Sequence, residues 1–114
     1  MPFMEAKTNV SLSREKETVL KSKIAGILAD SFPGKTENWL MLRFESDCAM
    51  WFGGSDAPCL MLDVALFGGQ SERAYAKMTA GVTALLEAEC GIPADRIYVK
   101  YSEFEHWGWN GSNF

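Results

Sequence analysis

The chain has 114 residues and a mass of 12.7 kDa, the usual size of one domain, and 47% hydrophobic against 23% charged residues is a globular balance. Lys and Arg total 11 against 15 Asp and Glu, a formal charge of -4 with no basic cluster, which argues against a nucleic-acid partner or an anionic membrane surface. No apolar run approaches the ~20 residues that span a bilayer, and Cys48, Cys59 and Cys90, with no CxxC pair and a lone His106, supply neither a metal site nor a disulfide framework.

In chain order, residues 2–8 read as a short strand. Ser11 or Ser13 can then cap a helix whose first turn holds Glu15 and Glu17, where the helix dipole favours acids. Leu20, Ile24, Ile27, Leu28 and Phe32 recur at helical spacing, and Pro33-Gly34 stops that helix. Residues 39–44 and 59–67 read as strands separated by a Gly53-Gly54 turn. A second helix starts near Ser71 with Tyr75, Met78, Val82, Leu85 and Leu86 on one side and ends at Gly91-Ile92-Pro93. Residues 97–101 form a final strand. The order is strand-helix-strand twice, an α/β arrangement of two β-α-β units in a four-stranded sheet. No linker divides it, so residues 1–114 are read as one domain.

Residues 39–42 and 60–62 are apolar at successive positions, so both faces of those strands call for burial. Two helices cover only one face of such a sheet. The other is expected to meet a second copy of the chain.

Pro2 is the first candidate for chemistry. Proline next to an initiator is commonly exposed by removal of the methionine, leaving a secondary amine at the chain end. An α-amino group titrates near ~7.7–8.0, and burial or a neighbouring cation lowers that value. A base poised near neutrality suits proton abstraction beside a carbonyl. Taken alone, Pro2 reads more simply as the plain start of an edge strand, where its missing N–H is harmless.

Several segments occur in a telling order: Pro2-Phe3-Met4, Thr8-Asn9-Val10, Gly34-Lys35, Met50-Trp51-Phe52-Gly53-Gly54-Ser55, Pro58-Cys59, Asp95-Arg96-Ile97-Tyr98 and the closing Gly108-Trp109-Asn110-Gly111-Ser112-Asn113-Phe114. Together they resemble the macrophage migration inhibitory factor family of the tautomerase superfamily, over nearly the whole chain. The closing run and Phe-Gly-Gly-Ser are the most specific parts. The resemblance implies a homotrimer with the sheets facing inward and active sites between subunits. It also implies keto–enol tautomerisation of phenylpyruvate-like aromatic α-keto acids, with no metal or organic cofactor. Pro2 would be the general acid/base, and Lys35 would pair with the substrate carboxylate and keep Pro2 neutral. Tyr98 would come from the neighbouring subunit, while Trp109 and Phe114 would pack the substrate ring at the mouth.

The chain also departs from the family pattern. Lys100 stands where mammalian members have asparagine, which offers a second carboxylate partner. The segment that contributes a backbone donor reads Leu66-Phe67-Gly68, so the Phe67 N–H takes that part. Trp107 replaces a smaller residue near the mouth and narrows it. Cys59 lacks the second cysteine three residues on, which disfavours a thiol-redox role. Without the resemblance, Lys35 would pass as a solvated helix cap and Tyr98 as a packing residue.

His106 is expected at the surface, and the Asn9 and Asn110 sequons are expected to be chance, because no export signal precedes them. The missing signal and the odd thiol count favour a reducing cytosol. Family members also act as secreted signals without a signal peptide, so a cytokine-like protein that engages a cell-surface receptor is the competing reading.

Overall fold

Two serine caps and a period-two strand set the architecture. In a computed structural model describing residues 1–114, Ser13 Oγ accepts from Lys16 N at 3.0 Å and opens helix α1 (Arg14–Ser31). Ser71 Oγ accepts from Ala74 N at 3.1 Å and opens helix α2 (Glu72–Cys90). Phe32 caps the first helix and Pro33 follows it. The second ends on Gly91 at φ 67°, a left-handed conformation that favours glycine.

Strand β1 (Pro2–Thr8) alternates strictly between buried and half-buried residues, as does β3 (Leu60–Phe67). The two pair antiparallel at the sheet centre, with Pro2 opposite Leu66 and Thr8 opposite Leu60. Strand β2 (Met41–Glu45) joins β1 in parallel and β4 (Ile97–Phe104) joins β3 in parallel, giving the order β2-β1-β3-β4. Each parallel pair is linked through one helix, as a parallel connection requires. Met4, Ala6, Leu62, Val64 and Leu66 on the sheet pack against Leu20, Ile24, Leu28 and Phe32 of α1 and Met78, Val82 and Leu86 of α2. The helices approach closely at Gly81, where a Cβ would come within 2.9 Å of Ile27 Cγ2.

The helices and the two central strands follow the sequence reading closely, and the two outer strands differ at one end. Residues 36–40 turn as a short 3-10 segment with Leu40 N donating to Glu37 O at 3.1 Å, so β2 starts at Met41 rather than at 39. Strand β4 runs three residues past 101, to Phe104.

The sheet face away from the helices is mixed rather than apolar. Phe3, Met41, Met61, Phe67, Tyr98 and Phe104 alternate there with charged side chains. Arg43 Nη1 lies 2.8 Å from Glu5 and 3.3 Å from Glu45, and Lys100 Nζ lies 3.3 Å from Asp63. Successive apolar residues in 39–42 misled because Trp39 and Leu40 are not in the strand. No helix is long and apolar enough to cross a membrane.

Candidate active site

The start of β1 lies beside the turn that follows α1. Pro2 is buried and its nitrogen is a peptide nitrogen in the chain that begins at Met1. The Met1 carbonyl accepts a hydrogen bond from Phe67 N at 3.2 Å, which ties the chain end to the last residue of β3. Gly34, at φ 79°, makes the turn after α1, and Lys35 N donates back to Phe32 O at 3.0 Å. That turn directs Lys35 at the chain terminus. The Met1 amine is drawn down from 8.0 to about 6. Burial is the largest cause, followed by a hydrogen bond that Lys35 donates to the neutral amine and by repulsion between the two cations.

The C-terminal run folds as a tight hairpin of β5 (Gly108–Trp109) and β6 (Ser112–Asn113), turning at Asn110 (φ 53°) and Gly111 (φ 84°). Asn-Gly suits that turn because both central residues need positive φ. Phe114 N donates to Trp107 O at 3.0 Å and fixes the terminal residue. The hairpin sets Trp109 and Phe114 nearly parallel, at 10° and 6.4 Å between ring centres, and Phe114 reaches Phe67 at 5.4 Å. An aromatic path thus leads from the hairpin to the residue bonded to the chain end.

Trp39 extends that path, its ring edge-on to Trp109 at 4.9 Å. Sequence reading assigned Trp39 to a strand and missed this role. The signal was the turn-forming Thr36-Glu37-Asn38 before it. Trp107 and Trp109, two residues apart, do not share partners: Trp107 turns to Phe104 at 6.2 Å.

Two other candidates lie away from Pro2 within one chain. Tyr98 pairs with Met61, and five residues along β3 from Met61 to Leu66 amount to ~17 Å. It sits instead against Phe52, ring centres 4.6 Å apart, on an apolar cavity of about 300 Å³ that Met50, Trp51, Cys59 and Met61 also line. Lys100 is nearer, three residues from Leu66 along β3, but its ammonium is paired with Asp63. His106 is exposed. No three His, Cys, Asp or Glu side chains converge to hold a metal ion. The largest cleft, about 550 Å³, lies between the end of α1 and the start of α2, is lined by polar residues such as Asp30, Arg73 and Lys77, and contains none of the candidates.

Comparison with known proteins bears on this arrangement. A sequence profile described as Macrophage migration inhibitory factor (MIF) matches residues 1–114. The chain is 31% identical to macrophage migration inhibitory factor of Mus musculus and 30% identical to that of Xenopus laevis, covering 100% of this chain and 99% of each relative. Among solved structures it is similar to Leishmania major MIF2, with a TM-score of 0.93 and 37% identity over 100% of this chain and 97% of that one. It is also similar to macrophage migration inhibitory factor of Toxoplasma gondii, with a TM-score of 0.88 and 26% identity over 98% of this chain and 99% of that one. A profile match along the full length, on a fold this close to solved relatives, places the chain in the macrophage migration inhibitory factor family.

Proposed function

We propose that this protein is a cofactor-independent keto–enol tautomerase acting on phenylpyruvate-like aromatic α-keto acids, with Pro2 as general acid/base once Met1 is removed. Family membership supports a tautomerase or cytokine-like role in general. The observation that carries the finer reading is Lys35 beside the chain terminus, where burial and the neighbouring cation hold an amine at about 6. An amine there is mostly neutral at pH 7 and able to take a proton.

On this reading the unblocked Pro2 nitrogen removes the enol O–H proton and delivers a proton to C3. The C=C bond becomes single as C=O forms. Lys35 pairs with the substrate carboxylate, where charge-assisted bonds are strongest. Removal of Met1 takes away the carbonyl that occupies Phe67 N, leaving that N–H for a substrate oxygen. Trp109 and Phe114 pack the aryl ring, with Trp107 at the rim. Tyr98 is supplied by a neighbouring copy in a homotrimer, an arrangement supported by its distance from Pro2 within one chain, and Lys100 offers a second partner for the carboxylate. The cytoplasm is the compartment that fits three unpaired thiols.

The test is Pro2→Gly in protein whose mass confirms loss of Met1. Its rate of phenylpyruvate enol-to-keto conversion should fall by ~10²–10⁴, the range of general acid–base catalysis. A loss smaller than about tenfold refutes the assignment.

A further inference from the structure

The segment between β2 and β3 has an unusual support. Residues 50–58 contain no regular structure beyond a bridge between Phe52 and Ser55, and residues 53–58 are exposed. Carbonyls on such a loop are ordinarily left to water. Here two side chains from other elements take them up. Arg96, just before β4, donates from Nη1 to Phe52 O at 3.1 Å, from Nη2 to Ser55 O at 3.0 Å and Ala57 O at 3.1 Å, and from Nε to Pro58 O at 2.9 Å. Asn9, just after β1, donates from Nδ2 to Asp56 O at 3.0 Å and Ala57 O at 3.1 Å and accepts from Cys59 N at 2.9 Å. Arg96 has no carboxylate partner, so its fork is devoted to this loop.

The loop in turn carries one wall of the cavity at Tyr98. The Arg96 guanidinium lies 5.4 Å from the centre of the Phe52 ring, and that ring packs on Tyr98 at 4.6 Å. Trp51 beside it is 67% exposed. A rigid backbone under exposed aromatic rings is a preorganised contact surface, since it loses little freedom when a ligand docks.

We propose that Arg96 is a positioning residue for aryl recognition: by holding residues 52–58 it fixes Phe52 and, through Phe52, the Tyr98 ring that meets the substrate's aryl group in the neighbouring copy's site. This rests on the reading that Tyr98 completes that site. Arg96 touches neither the substrate nor Pro2, so it acts on ring binding and leaves proton transfer alone. Lysine keeps the charge but cannot hold four carbonyls at once.

The experiment measures deuterium incorporation at C3 by NMR, in the assembled Met1-free protein, with phenylpyruvate and with ring-less 2-oxobutanoate. Arg96→Lys should raise KM for phenylpyruvate about three- to tenfold, the size of a lost oriented aromatic contact. Its kcat should stay within about twofold, and KM for 2-oxobutanoate should be unchanged. Asn9→Ala, which frees the other side of the loop, should give the same split in milder form. Unchanged KM for phenylpyruvate, or equal losses on both substrates, overturns the proposal.

Tyr98→Ala separates the two levels. If it raises KM for phenylpyruvate while Arg96→Lys does not, the positioning role alone falls; if Tyr98→Ala has no effect, the site reading falls and takes this proposal with it. Should Arg96→Lys not fold, hydrogen exchange in the wild-type protein decides. The Ser55, Ala57 and Cys59 amides, bonded to Phe52 O, Ser55 Oγ and Asn9 Oδ1, should be protected before substrate is added, and exchange at free-chain rates overturns the proposal.

Discussion

Consider two preparations of the same chain, one beginning at Met1 and one at Pro2. In the first, the Pro2 lone pair is delocalised into a peptide bond and cannot accept a proton. The Met1 carbonyl also occupies Phe67 N at 3.2 Å, the donor assigned to substrate oxygen. Losing the positioned base removes a factor of ~10²–10⁴, and losing a hydrogen bond to a charged group removes roughly a further tenfold. The Met1 amine works against complete silence. At about 6 it is roughly nine-tenths neutral at pH 7 and lies beside Lys35. It is nevertheless displaced along the chain by ~3.8 Å at Cα, and a misplacement of ~1 Å can already lower a rate ~10²-fold.

The trimmed preparation should therefore exceed the untrimmed one by about 10³-fold or more. The assay pairs enol decay followed by absorbance with intact-mass measurement of the trimmed fraction, and rate should rise in proportion to that fraction from nearly zero. The reasoning is wrong if protein less than about one-hundredth trimmed retains more than about a tenth of the trimmed rate. A residual activity titrating at about 6 would identify the Met1 amine as the substitute base.

Lys35→Ala should raise KM for phenylpyruvate by ~10–100-fold through loss of a charge-assisted bond. It should also move the acidic limb of the pH–rate profile upward if Lys35 acts on the Pro2 amine as it does on the Met1 amine, and only part of the way, because burial is the larger cause at Met1; an unmoved limb contradicts this. At alkaline pH, burial holds the Tyr101 phenol above its ordinary 10.0, so the unfolded chain ionises first. Tyr101 therefore contributes stability that is full below pH 10 and is lost as pH rises through its folded value. Tyr101→Phe should reduce the fall in urea midpoint between pH 9 and pH 11, with a remainder from Tyr75, which is raised as well; identical falls in both proteins refute the assignment.

Signals that are local in sequence carried the fold. Ser13 and Ser71 cap helices through bonds three residues away, and Gly91 closes the second helix through its own backbone conformation. Buried alternation in residues 2–8 and 60–67 fixes which side of each strand meets the helices. The open face was harder to read. Whether Arg43, Glu5 and Glu45 neutralise one another depends on β1 and β2 lying in parallel register, which the local pattern does not contain. Trp39 was misplaced for the opposite reason. Its β-forming side chain outweighed the turn before it, and the contact that holds it, Trp109, lies 70 residues further along the chain. The loop at 50–58 shows only its Gly-Gly turn in sequence, since the side chains that support it come from Asn9 and Arg96.

If Pro2 and Tyr98 act on a single substrate, as proposed, their separation along the sheet calls for two copies to share a site. Subunit mixing tests this without a structure of the assembly. Pro2→Gly chains retain Tyr98, and Tyr98→Ala chains retain Pro2. In a cyclic trimer each site takes Pro2 from one subunit and Tyr98 from its neighbour. Unfolding the two variants together at equal amounts and refolding them yields intact sites with a frequency of about a quarter under random assembly. At substrate below KM the mixture should recover towards about a quarter of the wild-type rate, well above the mean of the separately refolded parents. If one chain supplied both residues to its own site, every site in the mixture would carry a defect, and the rate would equal that mean.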